Sequence, residues 1–282
     1  MEPYGWVRQI PYKLHAGIDI PRFKAAWERV VELYPVHRSR IVLHNNMYLQ
    51  VVTRHNPYWE PQAHPSADDS FDALRTIKMG YGTALCRYSL LTSASPGGDS
   101  YFVLVIHHGL FDLWSLNLVF DALNALYLGL DPAPSRPYAG LIKYISQTSR
   151  SPATKAYWSR QLADLQPTTF PFAAAVPPGT AQQNLFLHRF YPFPRTTGTS
   201  FTKATILRGA WALLLARYCG TDDICFLTTV LGRHAPVAGV EGMVGMALSH
   251  VLVRVKLGGH HASSTIGQKA CPARGSRIAS RD

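Results

Sequence analysis

The chain of 282 residues is 47% apolar and only 16% charged, which excludes a lone small module and an intrinsically disordered chain and leaves ample mass for a buried core. Its 28 Lys and Arg against 17 Asp and Glu give a net charge of +11. The surplus is +3 over residues 1–60, zero over 61–182, +4 over 183–255 and +4 over the last 27; with no basic stripe and no interleaved stacking aromatics, a nucleic-acid binder is not expected.

Asp19 is placed to cap a helix with Pro21 in its first turn and Ile20, Phe23, Trp27, Val30 and Tyr34 on one face, ending at Tyr34-Pro35. Met47 to Thr53 reads as a strand, Ser70 opens a helix with Phe71, Leu74 and Ile77 inward, and Ala84 to Thr92 reads as a further strand. The turn cluster Ser95 to Gly98 leads into Tyr101 to Ile106, six apolar residues in a row that suit a strand buried on both faces. Trp114 to Leu128 then has helical period, with Gly129 where a left-handed terminal residue belongs. A helix at about 154–165 precedes a linker marked by Pro167, Pro171, Pro177, Pro178 and Gly179, which sets a boundary near residue 180.

Beyond the linker the pattern predicts a strand at Leu185 to Tyr191, a helix over about 201–218, a strand at Ile224 to Val230, an irregular Gly and Pro segment at 232–245 and a strand at about 248–257. Residues 258–282 have no apolar period and read as a disordered tail. The N-terminus lacks the pattern of a secretory signal, and the longest apolar stretch, Ala210 to Ala216, is too short to cross a membrane. Cys86, Cys219, Cys225 and Cys271 show no C-x-x-C spacing; a soluble, cytoplasmic protein in a reducing compartment is expected.

The stretch with the most chemistry is Ile106-His107-His108-Gly109-Leu110-Phe111-Asp112-Leu113-Trp114-Ser115, where a buried strand gives way to a turn. A neutral imidazole there suits proton transfer near pH 7. Three readings stay open on the residues alone: catalysis, a structural His pair, or half of a metal site, although no third ligand stands at a metal-like spacing. Asp112 has two uses open to it, holding a His tautomer or anchoring the turn on a distant cation. Trp114 reads as core packing rather than a substrate contact.

This stretch resembles the H-H-x-x-x-D-G signature of condensation domains of nonribosomal peptide synthetases, in the chloramphenicol-acetyltransferase-like superfamily. The resemblance continues in Ala25 to Arg40 (AAWERVVELYPVHRSR), which looks like the family's early helix and R-H-x-x-L-R-T-x-F region, and in Tyr157-Trp158 with Leu162 for Y-W-x-x-x-L. It extends through Ala204 to Tyr218 with Thr221-Asp222-Asp223-Ile224, and through Gly232-Arg233, Pro236, Gly239, Glu241 and Met243-Val244-Gly245 for G-R-x-x-P-x-x-G-x-E-x-M-V-G, in a flavour closest to fungal synthetases.

The resemblance implies an α/β fold, a two-lobed chloramphenicol-acetyltransferase-like sandwich with mixed sheets: an N-terminal lobe at 1–180, a partial C-terminal lobe at 181–257, incomplete in its sheet, and the tail. It implies amide-bond formation between a donor thioester and an acceptor amine, each tethered through phosphopantetheine to a carrier protein of expected acidic surface. No cofactor or metal is expected on the chain itself, and neither nucleic acid nor membrane is expected as a partner. In the family pattern His108 orients or deprotonates the amine, His107 packs beneath it, and Asp112 pairs with Arg233 as a structural ion pair. Backbone N–H groups around Gly109 are candidates for the oxyanion. Leu113 departs from the pattern, standing where the family has Gly and crowding or reshaping the path of the pantetheine arm. Two alternatives accompany this reading: an inactive truncated fragment or docking module, and a free-standing acyltransferase using a soluble acceptor.

Overall fold

A computed structural model describes residues 6–54, 59–62, 67–92, 98–166, 189–190, 192 and 200–258. The predicted linker, the strand at 185–191, Cys271 and the tail beyond residue 258 lie outside the described residues, apart from Arg189 and Phe190. The elements in chain order are β1 (Val7–Leu14), α1 (Ile20–Leu33), β2 (Ser39–His44), β3 (Met47–Val52), β4 (Trp59–Glu60), α2 (Ala67–Arg75), β5 (Cys86–Thr92), β6 (Ser100–His107), α3 (Leu113–Leu128), α4 (Ala139–Thr148), α5 (Pro152–Gln161), α6 (Lys203–Cys219), β7 (Asp223–Leu231) and β8 (Leu248–Lys256). Mixed helices and sheets of this kind make the fold α/β.

Two compact units divide the chain. The first holds Met1–Ser149 together with Leu231–Ser249, and the second holds Arg150–Val230 with His250–Asp282. In the first, β6 is the central strand of a sheet ordered β1-β6-β5-β4. It pairs antiparallel with β1, from Val7↔His107 to Leu14↔Ser100, and with β5, from Cys86↔Ile106 to Thr92↔Ser100. The apolar run Phe102 to Ile106 is accordingly buried throughout, as a strand flanked on both sides requires. α1 starts where Asp19 accepts the Arg22 N–H at 3.0 Å. It buries Phe23, Trp27, Val30 and Val31 in the same core as β5, β6 and the inner face of α3.

β2 and β3 form a hairpin from Ser39↔Val52 to His44↔Met47, turned by Asn45 and Asn46 at φ 48° and 58°, as a tight two-residue hairpin turn demands. In the second unit, β7 and β8 make a two-stranded sheet on which Ala212 of α6 packs against Val253 and Val255. Arg254 ties that sheet to the end of α5, pairing with Asp223 and donating to the Gln161 and Ala163 carbonyls. Among the described residues no helix is long and apolar enough to cross a membrane.

His37 follows α1 in a short 3-10 turn (Pro35–Arg38). It is 2% exposed, its ring lies against Trp27 and Tyr34, and its Nδ1 has no partner. Burial pushes its pKa down to about 4. The unfolded chain therefore takes up a proton near pH 6.5 that the folded chain refuses until about pH 4, so this residue's effect is absent above pH 6.5 and erodes stability as pH falls through that window. We expect the unfolding free energy from urea titrations to drop across the window, by roughly 3 kcal/mol at its lower end, and His37→Leu to flatten the acid limb. An unchanged limb would show that His37 is not its source.

Candidate functional site

The site is built at the C-terminal end of β6. His107 is its last residue, and its N–H donates to the Leu85 carbonyl at 2.9 Å, so backbone pairing fixes where the two histidines leave the sheet. The His107 ring is 5% exposed, and its Nδ1 accepts the Gly109 N–H at 3.0 Å. That bond leaves the proton of the neutral ring on Nε2. Burial first, and the neighbouring His108 second, lower its pKa, so it stays uncharged and serves as packing and hydrogen-bonding support. A Cβ at position 109 would stand 3.1 Å from His107 Nδ1, which explains a residue without a side chain there.

His108 is oriented by rings rather than by a carboxylate. Its N–H donates to the Trp6 carbonyl at 2.7 Å, Phe111 stacks on it at 4.8 Å with planes 17° apart, and Trp6 meets it edge-on at 6.2 Å. Its Nδ1 is buried without a partner, which leaves Nε2 as the ring nitrogen available to a reacting group. A stacked imidazole with one open nitrogen can accept and return a proton.

Asp112 is committed elsewhere. It is 1% exposed and caps α3 in a reciprocal box, its carboxylate accepting the Ser115 N–H at 2.7 Å while its own N–H donates to the Ser115 hydroxyl at 2.9 Å. Nη2 of Arg233 lies 3.0 Å from both carboxylate oxygens, and the Ala247 N–H donates to Oδ2 at 2.8 Å. Of the two uses left open by spacing, the structure shows the distant cation, with no hydrogen bond from Asp112 to either histidine. Arg233, 2% exposed, also donates to the carbonyls of Val240, Met243 and Gly245. One guanidinium thus gathers the turn at 240–245 around the start of α3.

Two expectations are corrected by this geometry. The Gly109 N–H does not face an open oxyanion position, because the His107 ring occupies it. Trp114 is not core: it is 42% exposed, and its Nε1 donates to the Glu241 carbonyl at 2.8 Å. Leu113, in the first turn of α3, is 75% exposed.

Tyr138 belongs to the same cluster and carries no motif that would reveal it. Its hydroxyl donates to the Met246 carbonyl at 2.6 Å, and burial, then the Asp112 charge, raise its pKa. Its ring is pressed against Gly245, where an added Cβ would come within 2.5 Å of Tyr138 Cδ2 and where φ is +152°. Among the described residues no group of three or more His, Cys, Asp or Glu is placed to hold a metal ion.

The sequence profile described as condensation domain matches residues 1–270. Nonribosomal peptide synthetase dtxS1 of Metarhizium robertsii is 36% identical over 274 residues, covering 94% of this chain and 3% of that protein. Nonribosomal peptide synthetase ungA of Aspergillus violaceofuscus is 35% identical over 263 residues, covering 93% and 3%. Among solved structures, the starter condensation domain of rhizomide synthetase RzmA superposes with a TM-score of 0.68 at 21% identity over 95% of this chain and 65% of that one. The X-domain from teicoplanin biosynthesis, solved in complex with OxyB, superposes at 0.69 with 19% identity over 94% and 64%. The chain therefore spans 3% of the length of these curated relatives and less than two thirds of these solved chains.

Gly245→Ala combines a strained φ with a collision on the Tyr138 ring. We expect it to cost about 2–4 kcal/mol in urea unfolding, whereas Gly80→Ala, a position with no atom within 4 Å of the added Cβ, should leave the midpoint nearly unchanged. Equal midpoints for the two variants would contradict the close packing at 245.

Proposed function

The chain belongs to the condensation-domain family, and on that premise we propose that it performs the acyl transfer of that family, forming an amide bond between a carrier-bound thioester donor and a carrier-bound amine acceptor in nonribosomal peptide biosynthesis. The observation that carries the reading is His108, a half-buried imidazole held by Phe111 and Trp6 with one ring nitrogen left open. In the proposed reaction the acceptor nitrogen attacks the thioester carbonyl carbon, the C–N bond forms and the C–S bond breaks. His108 Nε2 takes the amine proton and returns it to the departing thiolate on the donor's pantetheine arm. His107 supports this ring from below, and the Asp112–Arg233 pair holds the turn without touching substrate.

Both substrates arrive on phosphopantetheine arms of partner carrier proteins, so the cofactor belongs to the substrates. A net charge of +11 favours partners of acidic surface. The proposed division is an N-terminal lobe at 1–180 carrying the motif and a partial second lobe at 181–257, working in the cytoplasm. One observation favours a second reading, an inactive fragment or docking module: large apolar side chains of α6 stand exposed.

Loading acyl and aminoacyl groups onto two carrier proteins and following the dipeptidyl product separates the readings. The wild-type chain is expected to turn over, and His108→Ala to lose about 100- to 10,000-fold in rate with its melting temperature preserved. Normal turnover by the variant would remove His108 from the mechanism. A folded wild type with no transfer would favour the fragment reading, and equal rates with a free amine would favour a soluble acceptor.

A further inference from the structure

The strand edges of the first unit are closed in different ways, and one is left open. At the ends of the four-stranded sheet stand β1, which carries Arg8, Pro11 and Lys13, and β4, which is two residues long. Charge, proline and short length are the usual devices that stop an edge from recruiting another strand. In the β2–β3 hairpin the Thr53 N–H donates to the Arg38 carbonyl at 3.0 Å. From that pair, the alternation of an antiparallel ladder turns the backbone N–H and C=O of Tyr48, Gln50 and Val52 away from β2, and those of Ile41 away from β3. The β2 side is occupied: the Ile41 carbonyl accepts the Gly82 N–H at 2.8 Å, and Arg40 donates to the Gly82 carbonyl at 2.8 Å. The β3 side is open, since among the described residues no backbone group bonds to Tyr48, Gln50 or Val52 along it. β3 reads MYLQVV, with no charge and no proline, and all six of its residues are exposed.

We propose that β3 pairs antiparallel with β3 of a second copy of this chain, about a two-fold axis at Gln50, and joins the two hairpins into one sheet. The strand is complementary to itself in that register. Gln50 meets Gln50 of the second copy and Tyr48 meets Val52 of the second copy, so all three outward-facing residues are paired. On the other face Leu49 stands beside Val51 of the second copy. Aromatic with β-branched, and aliphatic with aliphatic, are pairs that stabilise a sheet, and like charges placed opposite each other would oppose it. None are: Arg54, the first charged residue after the strand, falls opposite Asn46 of the second copy. An uncharged, apolar strand thus suits a copy of itself better than a highly charged partner. Because the β2 edge is already occupied, the joined sheet offers no further free edge, and the assembly closes as a dimer rather than growing into a fibre. The inference is independent of the transfer reaction.

Sedimentation velocity of the full chain over roughly 1–200 µM, with residue-resolved amide exchange at both ends of that range, tests the pairing. A monomer–dimer equilibrium is expected. On dimerisation the amides of Tyr48, Gln50 and Val52 should slow about tenfold or more, while those of Leu49 and Val51, already bonded to β2, change little. The double variant Leu49→Glu, Val51→Glu sets like charges opposite each other across the axis and should weaken the dimer about tenfold or more. Leu49→Lys, Val51→Glu sets opposite charges there and should restore it. Both variants change exposed side chains and should melt like the wild type. Five results would overturn the proposal: a monomer throughout the range; a dimer that the first variant leaves intact; a dimer that both variants abolish, which would exclude this register; open-ended aggregates in place of a dimer; or variants that melt well below wild type, which would mean the chain's own residues cover β3.

Discussion

The ion pair between Asp112 and Arg233 is the constraint on which the rest of the site depends. Both groups are almost fully buried, and the pair satisfies far more than itself. Through Asp112 it caps α3 and fixes the Ala247 amide, and through Arg233 it binds three carbonyls of the turn at 240–245. Two buried charges are expensive to desolvate, and an arrangement that strands one of them typically costs about 3–5 kcal/mol. The hydrogen bonds surrounding this pair therefore favour one backbone arrangement over its neighbours. The segment Leu231–Ser249 packs with the first unit although the intervening chain at 150–230 belongs to the second; the charge on Arg233 gives a physical reason for its return.

This commitment of Asp112 shapes the chemistry. A carboxylate occupied by Ser115, Arg233 and Ala247 has no capacity left to orient an imidazole or stabilise an imidazolium, so the site is not a triad of the Ser-His-Asp kind. His108 is instead steered by Phe111, Trp6 and its own backbone bond. His107, neutral and bonded to the Gly109 amide, supplies a support that a charged ring would disrupt.

Much of this was legible in the sequence wherever a local rule governs. The Asp19 cap, the apolar period of α1, the unbroken run of β6 and the periodic α3 and α6 all follow from spacing. β1 was missed because Pro11 interrupts VRQIPYKL, yet β1 is an edge strand, where a missing N–H is tolerated. β2 was missed because its polar ends hide a hairpin whose turn is the pair Asn45-Asn46. α4 buries only Leu141 and has little periodic signal to offer. The site divides in the same way. The two histidines and Asp112 stand together in one short stretch, but the choice between the two uses of Asp112 depends on a residue 121 positions away. Carbonyl oxygens that ligate Arg233, the direction of the Gly109 amide and the approach of Tyr138 to Gly245 have no signature in residue identity.

The most direct measurement is a double-mutant cycle on Asp112→Ala and Arg233→Ala, followed by urea unfolding. If the pair is the structural hub, each single variant loses about 3–5 kcal/mol and the double variant loses little more than either, a coupling of roughly 3 kcal/mol. Additive losses, with coupling near zero, would contradict the account and leave the arrangement of the turn around α3 without its cause.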